Sequence, residues 1–363
     1  MTIAILGLSI TSSWGNGHAT TYRGLVKALA AQGHRIIFLE RDVPWYAQSR
    51  DLPVPPYCEL HLYATLDELQ DQWRGVVRDA DLCIVGSYVP DGIIVGEWIT
   101  RTAQGVTAFY DIDTPVTLAA LARGDCAYLS PETIPLYDLY LSFAGGPVLT
   151  LLEDKWGARR ARPLYCAFDP ELYFPEAQER VYDLAYRGTS SPDRQPTLER
   201  LLLEAARQWP SGRFCVAGPQ YPPEIAWPAN VEHLEHLPPS AHRAWYNRQR
   251  YALNVTRADM IALGWSPSVR LFEAAACAVP IISDWWEGLD SVFTPGTEIL
   301  LARSTDDALR ALRDLPDDER QAIGAAARAR VLAQHTAAHR AAELISYVLA
   351  LQSLPKERPY ALS

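Results

Sequence analysis

Along the first half of the chain, short and nearly unbroken apolar runs alternate with longer stretches of helical period. The runs are IAILGL from Ile3, RIIFLE (35–40), LCIVGS (82–87), VTAFYD (106–111) and DLYLSF (138–143). Unbroken runs of this length read as strands covered on both faces, the signature of a parallel sheet. Between the first two, YRGLVKALAAQG carries Leu25, Val26, Leu29 and Ala30 at helical spacing and ends at Gly33, which suits the left-handed turn that stops a helix. That is one βαβ unit, and its repetition predicts a parallel sheet covered by helices.

The pattern lapses over KWGARRARPLYCAFDPELYFPE (155–176), rich in proline and mixed charge, and then resumes. VYDLAYRG (181–188), RFCVAG (213–218), YALNVT (251–256), VPIISD (279–284) and EILLA (298–302) read as a second set of strands, with PTLERLLLEAARQ (196–208) as a helix. From about Asp306 the Ala/Arg/Leu-rich tail is helical. The length of 363 residues fits two domains. The expected architecture is therefore α/β, with two βα-repeat domains joined by a short linker. Such sheets bind ligands beyond the carboxyl ends of their strands, so two facing domains would form a cleft.

Charge and cysteine content narrow the partners. A net charge of −10 biases against DNA, RNA and anionic lipid, while leaving room for a local basic groove. No run approaches a bilayer span, and Met1-Thr2 leads directly into the first strand, so a cytoplasmic protein is expected. Cys58, Cys83, Cys126, Cys166, Cys215 and Cys277 are far apart with no CxxC pair, which reads as free thiols rather than disulfides or zinc ligands.

Three loops can carry chemistry. In SITSSWGNGHATTYRGL (9–25) a Gly-rich loop opens a helix, where free backbone N–H groups and the helix dipole favour an anion. Glu40 ends the second strand about where a dinucleotide-binding acid would sit, but the glycine spacing is wrong and Thr20 takes the third glycine position. His18 at the helix start can take a proton from a hydroxyl or merely cap the helix, and Trp14 can stack on a sugar or pack in the core. In YRGTSSPDR (186–194), Gly188, Thr189 and Arg194 suit a diphosphate, as well as an ordinary capped turn. In LNVTRADMIALGWSPSVRLFEAAACAVPIISD (253–284), Ser266 and Pro267 make an N-cap and first-turn pair. Arg270 and Glu273 follow one turn apart, placed for a phosphate and a ribose diol or for an i,i+3 ion pair. Asp111 and Asp113 mark the end of one strand. His335 and His339 have helical ligand spacing without a third ligand, and no metal site is expected.

The run RLFEAAACAVPIISD, followed by EGLDSVFTPGTEIL, resembles the nucleotide-sugar-binding half of GT-B glycosyltransferases, particularly the spore-maturation CgeB-like family. WGNGHATTYRGLVKALAAQGHRIIFLERD resembles the His-bearing opening of these enzymes, and LYCAFDPELYFP their domain crossing. The resemblance implies an acceptor domain over 1–168, completed by the C-terminal helix at about 341–363, and a donor domain over 169–340. It implies a metal-independent transfer of sugar from a nucleoside diphosphate, UDP or TDP by default, to a hydroxyl acceptor, with no cofactor besides the donor. Gly188, Thr189, Arg194, Arg257, Arg270 and Glu273 would bind the donor, with Glu273 on the ribose. His18, Asp111 and Asp113 would be the catalytic candidates, and Trp14, Gly15, Asn16 and Gly17 the acceptor-side loop. One departure stands out: many retaining members carry another glutamate eight residues before the ribose-binding one, and here that position is Trp265. An epimerase or hydrolase acting on a sugar nucleotide, or a non-catalytic nucleotide-sugar-binding protein, are the rival readings.

Overall fold

The computed structural model describes residues 1–14 and 17–353. The chain divides into two units, Met1–Leu164 with Ala337–Ser363, and Tyr165–Thr336. In the first, seven strands form one parallel sheet: β1 (Thr2–Gly7), β2 (Arg35–Arg41), β3 (Glu59–Tyr63), β4 (Leu82–Gly86), β5 (Val106–Asp111), β6 (Leu139–Ser142) and β7 (Ala161–Pro163). Their spatial order is β3-β2-β1-β4-β5-β6-β7, and Ile3 of β1 sits between Ile36 and Leu82 in register. The order reverses between β1 and β4, the switch point at which such sheets open a crevice.

The second unit repeats this plan with six parallel strands: β8 (Tyr182–Arg187), β9 (Phe214–Ala217), β10 (Val231–Leu234), β11 (Gln249–Asn254), β12 (Ile281–Ser283) and β13 (Leu300–Leu301). Their order is β10-β9-β8-β11-β12-β13, with the switch point between β8 and β11. Both units are Rossmann-like.

Every apolar run except EILLA, which gave the edge strand β13, became an interior strand, because such a strand is covered on both faces and needs no polar side. β3, β7 and β10 escaped the pattern. ELHLY and VEHL mix polar with apolar residues and are only partly buried, as edge strands are, and β7 is three residues long inside the stretch expected to be loop.

The first unit is completed from the far end of the chain. The helix Ala337–Gln352 contributes Ala341, Leu344 and Val348 to the same core as Leu25, Val26 and Leu29 of the helix Gly17–Ala31. The two helices meet at Gly24, where a Cβ would lie at an ordinary contact distance of 3.4 Å from that of Ala337. All six cysteines are free thiols. No helix among the described residues is long and apolar enough to cross a membrane.

Leu344 is fully buried in this core. Leu344→Ala should lower unfolding free energy by about 3 kcal/mol, the usual cost of a buried leucine with its cavity. Urea unfolding checks this, and a loss below about 1 kcal/mol would mean that the helix adds little to the unit.

Candidate active site

The loop after β1 owes its hydroxyl-rich sequence to one carboxylate. Glu40, fully buried at the end of β2, accepts from Ser9 Oγ (2.9 Å), Thr11 Oγ1 (2.6 Å) and the backbone N–H groups of Ile10 (2.6 Å) and Thr11 (3.1 Å). With both oxygens occupied by the loop, Glu40 is a clamp, and the dinucleotide reading of this loop falls. A second tie comes from Asp51, which accepts from Ser13 N and Oγ (2.8 Å each) and from both terminal nitrogens of Arg23. Burial opposes ionisation there, yet these donors hold the Asp51 carboxyl well below its ordinary range.

Trp14 is 58% exposed on this loop, so it lines a surface rather than the core. Gly17 starts the helix and has open space around its Cβ position, so it meets no steric demand for glycine. Gly15 and Asn16 lie outside the described residues.

His18, one residue into the helix, has its pKa lowered to about 4 by burial and is neutral near pH 7. Its ring meets the edge of Tyr88 at 5.3 Å between centroids. Tyr88 belongs to the loop after β4, so these loops flank the switch point.

The two aspartates at the end of β5 differ in kind. Asp111 is fully buried and takes Thr117 Oγ1 (2.6 Å), Tyr140 Oη (2.6 Å) and the N–H of Asp113 (3.3 Å). Burial raises its pKa to about 6 against those bonds. It braces the site from below. Asp113 is half-buried at the start of the helix Thr114–Arg123, and its Oδ2 accepts from Tyr88 Oη at 3.3 Å.

In the second unit, the residues chosen from sequence gather at the β8/β11 switch point. β8 ends at Arg187, and Gly188 follows with its N–H donating to Ala217 O at the end of β9 (2.9 Å). A Cβ on Gly188 would lie 2.4 Å from Tyr186 Oη and 3.0 Å from an Arg270 nitrogen. Arg194 folds back on this loop, donating to Thr189 O (2.6 Å) and Ser191 Oγ (2.8 Å). Arg270 donates to Arg187 O and to Asn254 Oδ1 (2.9 Å), with its guanidinium 4.8 Å from the Tyr186 ring centre. Burial lowers the Arg194 pKa, and the positive charges of Arg270 and Arg257 lower it further. Gly188, Thr189, Arg194, Arg257 and Arg270 thus form one basic cluster.

The helix carrying Arg270 and Glu273 starts at Val269, two residues later than the serine-proline pair implied, and Ser268 precedes it. Gly264 and Trp265, both at positive φ (71° and 52°), turn the chain first, and the Ser268 hydroxyl donates to Asn254 Oδ1 (2.9 Å) instead of capping.

Glu273 is 1% exposed, and its partner is Arg187 rather than Arg270. Tyr173 Oη donates to Oε1 (2.9 Å), and Tyr246 Oη (3.0 Å) and Arg187 donate to Oε2. Burial alone would push this carboxyl up; Arg187, His242 and the two phenols overcome it and hold the pKa below its ordinary value. Of the roughly four acceptor positions on a carboxylate, three are taken and one remains on Oε1.

Sequence reasoning missed Arg187, Tyr173 and Tyr246, although a charged residue closing an apolar strand just before Gly188 was a signal. It also missed Tyr221, whose hydroxyl donates to Gly188 O (3.1 Å). His335 stacks on Phe272 at 4.7 Å, in keeping with a structural histidine. Among the described residues, no group of three or more His, Cys, Asp or Glu is arranged to hold a metal ion.

Residues 194–346 match the family described as Glycosyl transferase-like. No curated protein sequence matches the chain. Among solved structures, a sucrose-phosphate synthase from Thermosynechococcus elongatus is 15% identical with a TM-score of 0.68, over 97% of this chain and 99% of that one. HepE of Anabaena in complex with UDP-glucose is 13% identical (TM-score 0.69; 98% and 100% covered). An alpha-glucosyltransferase in complex with UDP-glucose and DNA containing an abasic site is 12% identical (TM-score 0.72; 96% and 99% covered). Residues 194–346 thus resemble a glycosyl transferase-like domain, and the chain as a whole shares the GT-B fold of these structures.

The raised pKa of Asp111 gives this edge of the first unit a pH signature. Because the folded state holds the proton up to about pH 6 and the unfolded chain only to about 4, wild type loses about 2 to 3 kcal/mol between those values. Asp111→Asn removes that slope, so the variant should gain on wild type as pH rises from about 4 to 6. Denaturant unfolding across that range would expose a parallel pair of curves if the buried carboxyl did not titrate there.

Proposed function

We propose that the protein moves a sugar from a nucleoside diphosphate, UDP or TDP by default, to a hydroxyl acceptor. The observation that carries this is the convergence of Arg194, Arg257 and Arg270 on the Gly188-Thr189 loop at the second unit's switch point. Like charges gathered this closely repel, and a diphosphate offsets them. As the bond from the anomeric carbon to the diphosphate breaks, negative charge grows on the leaving oxygens, so fixed guanidinium groups favour the transition state over the ground state. Arginines in this position supply what a divalent cation supplies elsewhere, which supports a metal-independent reaction.

Glu273 would meet the ribose with the one acceptor position left on Oε1, a single hydrogen bond rather than the pair a free carboxylate offers. The first unit would present the acceptor along the loops that carry Trp14, His18 and Asp113. Within the class, RLFEAAACAVPIISD supports a CgeB-like assignment, the free thiols support a cytoplasmic enzyme, and the net charge of −10 favours an acceptor other than nucleic acid.

Titration calorimetry with UDP and with uridine tests the donor site. Arg194→Ala and Arg257→Ala should each weaken UDP binding about tenfold or more, the scale of a charge-assisted hydrogen bond, and leave uridine binding nearly unchanged. UDP affinity unaltered in both variants would sink the assignment. A chelator such as EDTA should leave UDP release from UDP-glucose within twofold of the untreated rate; abolition restored by a divalent cation would overturn metal independence.

A further inference from the structure

No sequence pattern marked His242, yet it stands beside the carboxylate assigned to the ribose. It lies on the helix Pro239–Asn247, one turn before Tyr246, and is 6% exposed. Its Nε2 is 3.2 Å from Leu237 O, and its Nδ1 is 3.3 Å from Tyr173 Oη. A carbonyl oxygen only accepts, so Nε2 carries the hydrogen and Nδ1 of the neutral ring is an acceptor. Burial, helped by the charge of Arg187, lowers the His242 pKa to about 4, which keeps the ring neutral near pH 7.

Tyr173 Oη owns one hydrogen and faces two acceptors, Glu273 Oε1 at 2.9 Å and His242 Nδ1 at 3.3 Å. Whichever acceptor takes it leaves the other without. The shorter bond goes to Glu273, so Nδ1 is left as a buried acceptor in want of a donor. The backbone around the phenol is fixed. Tyr173 N donates to Asp169 O (3.0 Å), while Asn247 donates to Phe174 O (3.0 Å) and accepts from Glu176 N (2.8 Å). The stretch is thus pinned to the helix that carries His242, and only the phenol and its hydrogen can move.

Resting on the reading that Glu273 meets the ribose of the donor, we propose that His242 and Tyr173 are positioning residues that let Glu273 take both hydroxyls of a ribose diol, and so select a ribonucleoside diphosphate such as UDP over a deoxyribonucleoside diphosphate such as TDP. As the diol arrives, the Tyr173 hydrogen turns from Oε1 to Nδ1, and the 3.3 Å spacing leaves the phenol room to draw toward the imidazole. Oε1 then offers two acceptor positions in place of one, while Tyr246 and Arg187 keep Oε2. A deoxyribose with one hydroxyl needs only the position already open and leaves Tyr173 where it is.

The test measures by titration calorimetry the affinities of UDP and 2′-deoxy-UDP, with thermal unfolding of each variant alongside. Wild type should prefer UDP about tenfold or more, the worth of one hydrogen bond to a charged group. His242→Gln can still donate to Leu237 O but sets no acceptor beside Tyr173. It should weaken UDP to the level of 2′-deoxy-UDP, while 2′-deoxy-UDP itself moves less than twofold. His242→Asn, which can place an amide oxygen where Nδ1 stood, should restore most of the preference. Tyr173→Phe removes the hydrogen that competes for Oε1, so it should keep the preference, and adding His242→Gln to it should change nothing further.

A merely structural histidine would lower stability and weaken both nucleotides alike. That result overturns the proposal, as do a Tyr173→Phe variant that has lost the preference and losses that add in the double variant. Wild type that binds the two nucleotides within twofold of each other overturns this inference alone and leaves the donor reading standing. Wild type that binds neither overturns the donor reading and this inference with it.

Discussion

A carboxylate that is 1% exposed survives only if a positive charge and good donors replace the water it has lost, and Glu273 meets that condition through Arg187, Tyr173 and Tyr246. The pair fastens four pieces of the second unit: the end of β8, the helix Val269–Ala276, the stretch at Tyr173 and the helix Pro239–Asn247. Its influence reaches further, because the carbonyl of Arg187 receives Arg270, and Arg270 in turn lies across Tyr186 beside Gly188. The cationic surface that would meet a diphosphate is thus braced from beneath by this buried ion pair. Removing either partner would leave a buried charge alone, so the two must change together or not at all.

The first unit solves a similar problem without a cation. Glu40 is ringed by two hydroxyls and two backbone N–H groups, donors that a loop can supply from its own residues. The excess of serine and threonine after β1 is therefore a structural need before it is a chemical one. Both units use a buried glutamate to shape a loop at the switch point, one with a guanidinium and one with the loop itself.

How much of this was legible follows from what each feature asks of the chain. β1, β4, β5, β8 and β11 are covered on both faces, so their apolar runs are unmistakable, and the loops after them follow by position. The edge strands β3 and β10 need only one covered face, and ELHLY and VEHL show no clean run. Gly188, Thr189, Arg194 and Arg257 could be chosen because each follows close on a strand, and Arg270 because it stands one turn before Glu273. What the letters did not carry was pairing: that Glu273 meets Arg187, 86 residues away, rather than Arg270 one turn away, depends on side-chain direction in the folded unit. The backbone of Tyr88, at φ 62°, was equally hidden, since nothing in SYVPD marks a left-handed tyrosine. The serine-proline start of the helix misled because Gly264 and Trp265 turn the backbone first.

The return of the chain to the first unit sets an order of events during synthesis. Residues Tyr165–Thr336 are contiguous and can close as soon as they are made, whereas the helix Gly17–Ala31, translated long before, keeps one apolar flank uncovered until Ala341, Leu344 and Val348 arrive. Domains fold largely as units while they emerge, so the unit begun first is the unit finished last. For that interval Leu25, Val26 and Leu29 are exposed beside a sheet already formed, and nascent chains of this protein present a sticky helix face that the mature one never shows.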